Sequence, residues 1–248
     1  MSEKHEPGHI YVGPSILACD FAHLAAEVKR TADAGADYLH VDIMDGHFVP
    51  NLTMGPQIVS AINRSSDIFL DVHLMIYNPF EYVERFVEAG ADRITIHFEA
   101  TEDVADTLAY IRKCNVEAGL AFCPETSESM VVKYLDKCDL ILLMTVHPGF
   151  GGQSFMSDVV SKISFTRNMC RKLGIGANGK TYVKEGESLP SSSYPPMAIQ
   201  VDGGITQETA AECIAAGANH LIAGTYLFKD DRMAEKINDL RRAHAFQP

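Results

Sequence analysis

The chain has 248 residues, and its 46% hydrophobic and 22% charged residues are ordinary for a globular protein with one sizeable core. The formal net charge of −12, without any basic stripe, excludes a protein that binds nucleic acid through its phosphates. Residues 1–9 are polar and no apolar run approaches membrane-spanning length, so we expect a cytoplasmic protein with no signal peptide and no membrane contact. Six scattered cysteines without a CxxC pair predict free thiols in a reducing compartment.

Short β-rich runs alternate with longer amphipathic runs from Tyr11 onward. The predicted strands cover residues 11–17, 38–44, 68–75, 93–98, 117–123, 139–146, 198–201 and 219–223. The predicted helices cover about 20–34, 55–63, 79–89, 102–114, 127–135, 155–173, 206–216 and 231–243, with Asp20 as an N-cap. Eight such βα units in a chain of this length predict an α/β protein of the (β/α)8 or TIM-barrel class.

Three predicted helices end in the same phrase, Ala-Gly-Ala followed by Asp or Asn, at residues 34–37, 89–92 and 216–219. Glycine there supplies a left-handed C-cap before the chain returns to the sheet. A doubly wound open sheet is the competing architecture. The repeated unit, together with the lack of a GxGxxG motif after the first strand, favours the barrel.

We expect a single domain, in which residues 1–10 are an N-terminal tail and residues 11–248 form the barrel. Residues 174–196 break the rhythm, because they hold many Gly, Ser, Pro and charged residues with little apolar periodicity. They are predicted to be a surface loop between the sixth helix and the seventh strand, on the barrel face opposite the chemistry.

Polar side chains stand at the ends of three predicted strands. His40 and Asp42 share one face of the second strand with Met44, His73 ends the third strand, and Asp202 follows the seventh. Each histidine alone is more typical of a satisfied core residue. Active sites of these barrels lie at the carboxyl ends of the strands. Two imidazoles and two carboxylates gathered there predict a borderline divalent metal, Zn, Fe(II), Mn or Co, whereas magnesium prefers oxygen ligands.

Glycine clusters follow the sixth, seventh and eighth predicted strands, at residues 149–152, 203–204 and 224. Glycines let backbone amides approach an anion closely. One such cluster alone could be a tight turn, but three at neighbouring strand ends predict a substrate that carries a phosphate group at one end.

Five phrases of the sequence resemble those of the ribulose-phosphate 3-epimerase family. They are Ser15-Ile16-Leu17, HVDIMDGHFVPNLT at residues 40–53, DVHLM at 71–75, MTVHPGFGGQSF at 144–155 and VDGGI at 201–205. The resemblance runs in order from about residue 11 to residue 228. It implies a metal-dependent TIM barrel that interconverts D-ribulose 5-phosphate and D-xylulose 5-phosphate in the pentose phosphate and Calvin pathways.

The resemblance also implies a role for each site residue. His40, Asp42, His73 and Asp202 would hold one divalent metal ion per subunit, with Asp42 and Asp202 doubling as the acid/base pair. Ser15, like His73 and Asp202, would touch the substrate. Its phosphate would bind at Gly149, Phe150, Gly151, Gly152, Gly203, Gly204, Gly224 and Thr225.

The chemistry of C3 inversion fits that set of residues. A proton next to the C2 carbonyl must leave from one face and return on the other, which calls for two positioned groups and passes through an enediolate. Met44, Met75 and Met144 are expected to line the pocket, with core packing as the alternative for each. Asp45 and Asp71 could orient ligands from behind, although surface or capping roles are equally open. His97 and Glu99 are further polar candidates near these strand ends.

Other functions remain open from sequence alone. A 3-epimerase of a related ketose phosphate, such as D-allulose 6-phosphate, would use the same residues, and so would a non-catalytic sugar-phosphate-binding barrel. A phosphate-binding decarboxylase or aldolase is disfavoured, because the required D-x-K-x-x-D lysine is missing from residues 42–45. His147 departs from the family's usual Asn or Glu and borders the glycine loop, where it could alter affinity. We expect a ketose phosphate as the small-molecule partner, and a homo-oligomer.

Overall fold

Eight parallel strands form a barrel in the computed structural model, which describes residues 8–183 and 194–243. Their order around the ring is β1-β8-β7-β6-β5-β4-β3-β2. The ring is completed where Ser15, just after β1, bridges in parallel to His40 of β2. The strands are β1 Tyr11–Pro14, β2 Tyr38–Met44, β3 Phe69–Met75, β4 Arg93–His97, β5 Glu117–Phe122, β6 Leu140–Met144, β7 Ala198–Asp202 and β8 His220–Ala223. The predicted (β/α)8 architecture is confirmed.

Helices follow every strand on the outside of the ring. They are α1 Leu24–Asp33, α2 Pro56–Asn63, α3 Val83–Glu88, α4 Val104–Lys113, α5 Glu128–Val132, α6 Val159–Leu173, α7 Gln207–Ala216, α8 Thr225–Phe228 and α9 Met233–Arg241. Short 3-10 turns precede α1 at Phe21–His23 and α3 at Pro79–Tyr82. Within the described residues, no helix has the length and apolar character that crossing a bilayer demands.

The predicted helices at 20–34 and 79–89 begin as the 3-10 turns, the one at 127–135 ends at Val132, and two further differences concern α6 and α8. The helix expected from Phe155 begins at Val159, because the preceding residues continue the glycine loop and Met156 donates its N–H to Thr145 O at 2.9 Å. The short helix α8, directly after β8, was not predicted, since its four residues are too few for a visible periodicity. Asp20 is an N-cap as expected, but of the 3-10 turn at Phe21–His23, and its carboxylate accepts from Ala22 N–H at 3.0 Å.

The Ala-Gly-Ala-Asp/Asn phrase ends a helix and starts a strand in one step. Its glycines have φ angles of 80°, 103° and 113°, the left-handed values expected of a C-cap. The Asp or Asn that follows then pairs with the preceding strand twice, because its N–H donates to a strand carbonyl and its side-chain oxygen accepts the N–H of that same strand residue. The pairs are Asp37 with Val12, Asp92 with Leu70, Asn219 with Ile199 and, after a different helix end, Asp139 with Ala118.

Strand alternation divides the buried residues into two layers. Val41 and Ile43 of β2 face outward and join the large apolar core between strands and helices. His40 and Asp42 face the inside of the ring, where other buried polar side chains also lie, among them Asp71, His73, Arg93, Thr95 and Gln200. A barrel interior is usually filled by branched apolar residues. The polar content of this one therefore marks a functional end of the barrel.

The flanks of the irregular segment lie at the amino ends of β6 and β7. Ile175 bridges to Thr181 and Gly176 to Pro196, and Gly179 is so close to Cys138 that an added Cβ would stand 2.7 Å from its carbonyl oxygen. This position agrees with the expected face of the barrel, opposite the strand ends that carry the polar cluster. Residues 184–193 of the predicted loop and most of the predicted tail lie outside the described residues. The expected homo-oligomer and cytoplasmic location remain predictions.

Candidate active site and metal centre

The structure brings together the four side chains that the sequence analysis singled out. His40, Asp42, His73 and Asp202 each offer one ligand-type atom, and these atoms lie within 4.8 Å of one another. Asp42 Oδ1 lies 3.2 Å from His40 Nε2 and 3.1 Å from His73 Nδ1. Asp202 Oδ2 approaches His40 Nε2 at 4.0 Å.

Strand register explains this convergence. β2 and β3 pair in parallel so that Asp42 stands beside His73 and His40 beside Asp71. Residues that are neighbours across two strands and share a face bring their side chains into contact. Asp202, the last residue of β7, reaches the same point from across the ring, with β8 and β1 between its strand and β2.

The donor set fits a divalent cation. The inward nitrogens of both imidazoles face the same carboxylate oxygen, and a second carboxylate stands beside them. Two nitrogen and two oxygen donors suit a borderline metal better than magnesium. The outward nitrogens of both rings are bound by protein groups, which is the arrangement that orients histidines as metal ligands.

His40 is supported from behind by a fully buried network. Its Nδ1 lies 2.8 Å from Asp71 Oδ2, and Gln200 Nε2 donates to the same oxygen at 2.7 Å. Arg93 Nη1 lies 3.7 Å from Asp71 Oδ1. Burial alone would raise the pKa of Asp71, but Arg93 and His40 outweigh it and lower that pKa. Asp71 thus takes the orienting role that sequence left open for it.

His73 is supported by a second chain of polar groups. Its Nε2 lies 2.9 Å from His97 Nε2, and His97 Nδ1 lies 3.1 Å from Glu99 Oε2. Glu99 is held by the N–H of Cys123 at 2.9 Å and by the hydroxyl of Thr126. Burial alone would raise the pKa of Glu99, but its hydrogen bond from His97 and the charge there lower it to about 2.

Asp45 binds backbone N–H groups of two loops and not one of the predicted metal ligands. Its carboxylate accepts the N–H groups of His47 at 2.8 Å, Phe48 at 2.9 Å and Tyr77 at 2.8 Å. These bonds join the loop after β2 to the loop after β3. Asp45 therefore stabilises the two loops at the rim of the barrel, which agrees with the capping role considered for it and not with the orienting role.

The two carboxylates of the cluster have opposite proton affinities. Burial and the negative charge of Asp42 raise the pKa of Asp202 to about 7. Burial would also raise the pKa of Asp42, but His40 and His73 outweigh it and hold that pKa well below its usual range. Ser15 Oγ adds a 2.7 Å hydrogen bond to Asp42 Oδ2. One carboxylate is thus ionised while the other carries a proton near neutral pH.

The two histidines of the cluster, His40 and His73, also have pKa values shifted in opposite directions. Burial would lower the pKa of His40, but Asp42 and Asp71 raise it well above its usual value. For His73 burial prevails, and its pKa falls to about 4. A buried group with two carboxylate neighbours keeps its proton, and one whose second neighbour is another imidazole loses it.

A cavity of about 780 Å³ opens above this cluster. The predicted site residues that line it are Ser15, Asp42, Met44, Met75, Met144, Gly149, Phe150, Gly151, Gly152, Asp202, Gly203, Gly204, Gly224 and Thr225. His40 and His73 are completely buried and lie below Asp42, outside the lining. A molecule in the cavity therefore meets the carboxylates and methionines first, with the imidazoles behind them.

Two glycines of the cavity lining, Gly203 and Gly204, are packed tightly against neighbouring residues. A Cβ added to Gly203 would lie 2.4 Å from Val146, and one on Gly204 would lie 2.6 Å from the backbone nitrogen of Phe155. Both glycines also have positive φ angles, of 119° and 64°, which L-residues rarely adopt. Only glycine fits at these two positions.

Two side-chain amides that sequence reasoning missed hold the glycine loop in shape. Asn51 Nδ2 donates to Gly149 O at 2.8 Å, and Gln153 Nε2 donates to the carbonyls of His147 at 2.7 Å and Phe150 at 2.8 Å. His147 itself is exposed at the rim, where its Nδ1 lies 2.8 Å from Glu125 Oε1. Its influence on affinity stays a prediction.

Comparison with known proteins agrees with this architecture. The model of the ribulose-phosphate 3 epimerase family matches residues 11–228. The chain is 49% identical over 234 residues to ribulose-phosphate 3-epimerase of Chlamydia pneumoniae, covering 94% of each, and 49% identical over 230 residues to that of Chlamydia muridarum, covering 92% of this chain and 93% of the relative. The solved tryptophan synthase A-subunit of Pyrococcus furiosus, with a TM-score of 0.65, 12% identity and coverage of 96% of this chain and 99% of that chain, shares the fold alone. This chain belongs to the ribulose-phosphate 3 epimerase family of isomerases.

Proposed function

We propose that the protein epimerises C3 of D-ribulose 5-phosphate to D-xylulose 5-phosphate through an enediolate, with Asp42 and Asp202 as the acid/base pair. The observation that carries the proposal is the pair of carboxylates, Asp42 and Asp202, that meet beside two imidazoles at one cavity. Membership of the epimerase family supports it.

Inversion at C3 needs a base on one face of the carbon and an acid on the other. One aspartate can take the C3 proton, which the neighbouring C2 carbonyl makes acidic, while the other supplies a proton from the opposite side. In the reverse direction the two roles exchange. Ser15 holds Asp42 by its 2.7 Å hydrogen bond and so limits the orientations of the base.

His40, Asp42, His73 and Asp202 would hold one divalent ion, Zn, Fe(II), Mn or Co. When bound, such an ion would supply Lewis-acid stabilisation of the negative charge that develops on the substrate oxygens. The protein prepares for that charge by burying both imidazoles completely and binding their outer nitrogens. Rigid ligands of this kind need little reorganisation during the reaction.

The remaining predicted residues would bind and enclose the substrate. Backbone at Gly149, Gly203 and Gly204 lines the cavity, and its N–H groups would bind a phosphate group there. Met44, Met75 and Met144 line the same cavity as the two carboxylates. Polarisable thioethers fit around a planar intermediate without competing for its proton.

A steady-state assay tests this function. Wild-type protein, chelated and then reloaded with each candidate metal, is expected to convert D-ribulose 5-phosphate only when loaded. Asp42→Asn and Asp202→Asn should each lose about 10²–10⁴-fold in kcat, as expected for general acid–base groups. Asp33→Asn removes an exposed carboxylate on α1, whose partner is Lys29, and should leave kcat unchanged.

Different outcomes would point to different functions. Faster turnover of D-allulose 6-phosphate than of D-ribulose 5-phosphate would mean that the former is the substrate, and the proposed mechanism would still apply. Tight binding of ketose phosphates without turnover, in protein shown to hold metal, would leave a sugar-phosphate-binding barrel.

A further inference from the structure

We propose that a second cavity, at the end of the barrel opposite the active site, binds a small molecule that carries a phosphate or carboxylate group on an apolar body. Arg167 and Arg171 of α6 are the cations that receive the oxyanion. The cavity has a volume of about 450 Å³. Its lining comes from the segment before β1, from α6 and Ile175 just after it, and from the segments that lead into β7 and β8. These parts of the chain meet at the amino ends of the strands, so this site is independent of the proposed function.

Arg167 carries a charge that the described part of the chain does not neutralise. The residue is only 7% exposed. Its Nε donates to Gly217 O at 2.9 Å and its Nη2 donates to Met197 O at 2.8 Å, and both acceptors are neutral carbonyls. No carboxylate of residues 8–183 and 194–243 forms an ion pair with it. Burial lowers the pKa of Arg167 to about 10, so the guanidinium is still charged at neutral pH.

The end of α7 offsets only part of this charge. Gly217 is the C-cap of α7, and a helix C-terminus carries the equivalent of roughly half a negative charge. Buried arginines are almost always paired with a full counter-charge. Nη1 of Arg167 has no hydrogen-bond partner within the described residues and is not sealed from solvent. Together with Nη2 it presents the planar fork that matches a phosphate or a carboxylate.

Arg171 places a second cation beside the first. It follows Arg167 by four residues on α6, so the two side chains leave the same face of the helix, and both line the cavity. Arg171 is exposed and has no ion pair or hydrogen bond among the described residues. Like charges at this spacing repel each other. An anion bound between the two guanidinium groups would replace that repulsion by two attractions.

The rest of the lining indicates what carries the oxyanion. Ile10, Ile175, Ile214 and Tyr194 contribute apolar side chains, and no carboxylate occurs among the described lining residues. His9 also lines the cavity, but its Nε2 lies 2.9 Å from a carboxylate outside the lining. Sites for small molecules typically combine apolar walls with a few polar groups in a volume of this size. The cavity therefore matches a compact apolar or aromatic body with one anionic group.

The first test follows Arg167 directly by NMR. Uniformly ¹⁵N-labelled protein is titrated with phenyl phosphate or phenylacetate at constant ionic strength, and the Nε–H signal of Arg167 is recorded. At least one of the two probes should shift this signal to saturation, and the tighter one identifies the oxyanion. Inorganic phosphate should bind about tenfold more weakly than phenyl phosphate, because it lacks apolar surface to bury. Phenol, which has the ring without the charge, should leave the signal in place.

The same spectra separate this site from the active site. Binding at the active-site cavity is read from the backbone N–H signals of Gly203 and Gly204. An Arg167 signal that stays in place with both probes, or that moves without saturating, would overturn the proposal. Saturation by phenol at the same concentrations would also overturn it, because the guanidinium would then not be the group that binds.

Arg171→Glu tests the role of charge without disturbing the fold. Arg167 itself binds two backbone carbonyls, so the exposed Arg171 is the better position for a substitution. Arg171→Glu removes an attraction and adds a repulsion, so the affinity of the tighter probe should fall about tenfold. Lys172→Glu is the matched control, because it makes the same change of charge at an exposed neighbour outside the lining. It should change the affinity less than about twofold. Equal losses in the two variants would refute a specific site.

Glutamates of the chain itself are the alternative source of a counter-charge. Those at positions 3, 6, 185 and 187 lie outside the described residues. A variant with all four replaced by glutamine is compared with wild-type protein in the absence of any probe. The Arg167 Nε–H signal should have the same position in both proteins. A displaced signal in the variant would show that the chain fills the site itself, which would overturn the proposal of a small-molecule ligand.

Discussion

His40 and His73 present one nitrogen each to the same oxygen of Asp42, yet the groups behind them are built differently. Asp71, which supports His40, is completely buried among Arg93 and Gln200 in the middle of the barrel. Glu99, which anchors the support of His73, reaches the surface at the rim. The network around Asp71 is part of the barrel interior, whereas the chain of contacts from His73 through His97 to Glu99 ends at the loop after β5.

Because of this difference, we expect a change behind His40 to affect both folding and the site, whereas a change behind His73 should affect mainly the site. A buried charge that loses its partner keeps its desolvation cost, so a change at Asp71 should affect folding and the site together. A change at Glu99 can be solvated in part, so it should affect the ligand with little effect on folding. The following predictions test that contrast, beginning with the largest effect.

Asp71→Asn should destabilise the whole protein. It removes the buried carboxylate that His40 Nδ1 and Gln200 Nε2 contact, and losing hydrogen bonds to a buried charge costs about 3 kcal/mol of unfolding free energy. Arg93 keeps its ion pair with Glu117 at 2.7 Å. Glu99→Gln, in contrast, should cost less than about 1 kcal/mol. Urea unfolding of both variants with chelator present measures the difference. Equal losses of unfolding free energy in the two variants would contradict the difference between the support of His40 and the support of His73.

The unfolding free energy of chelated protein should depend on pH through Asp202. Its pKa is about 7 in the folded state and 3.8 ordinarily, so between these values only the folded state holds the proton. Unfolding then releases that proton, so the contribution of Asp202 to the unfolding free energy falls as pH rises from about 4 to 7, by roughly 4 kcal/mol in all. His73, whose pKa falls to about 4 in the folded state, contributes in the opposite direction up to about pH 6.5. The difference in unfolding free energy between wild-type protein and Asp202→Asn isolates this contribution, and it should shift in that direction in urea unfolding at four pH values from 4.5 to 7.5.

The same protonation should oppose metal binding. Below pH 7 an incoming cation must displace the proton of Asp202, so metal affinity should weaken as the pH falls. If the metal affinity of Asp202→Asn depends on pH as steeply as that of wild-type protein, the proton that opposes metal binding belongs to another group.

Ser15→Ala should have the smallest effect of the three. It deletes the 2.7 Å hydrogen bond to Asp42, and a bond to a charged group contributes about 1.5 kcal/mol. We expect the unfolding free energy to fall by about that amount, and kcat/KM to fall about tenfold because Asp42 loses its fixed orientation. Steady-state kinetics and urea unfolding check the two parts, and Ser15→Thr, which keeps a hydroxyl, is the matched control. An unchanged kcat/KM in Ser15→Ala would mean that Asp42 needs no such support.

Much of this organisation could be predicted from sequence, because it depends on local patterns. Alternating strands and helices indicated the barrel, and the Ala-Gly-Ala phrases indicated the helix ends. His40 and Asp42 are two residues apart on one strand, so their shared face followed from strand geometry alone.

The supports behind the ligands were harder to predict, because they join residues far apart in the chain. Gln200 contacts Asp71 across 129 positions, and His97 contacts His73 across 24. Only the strand order and register bring these pairs together. One signal for Gln200 was available, since it precedes Asp202 by two residues on an inward face, as His40 precedes Asp42. The amides of Asn51 and Gln153 bond to loop carbonyls and carry no such periodic signal.

Proton NMR of each epimer in D₂O, with metal-loaded protein, tests the two-aspartate mechanism most directly. Wild-type protein should convert D-ribulose 5-phosphate to D-xylulose 5-phosphate that carries deuterium at C3, and chelated protein should not. Asp42→Asn and Asp202→Asn should be complementary, each exchanging the C3 proton of one epimer without inverting it. Product without deuterium at C3, or a single variant that still inverts both epimers, would contradict the account.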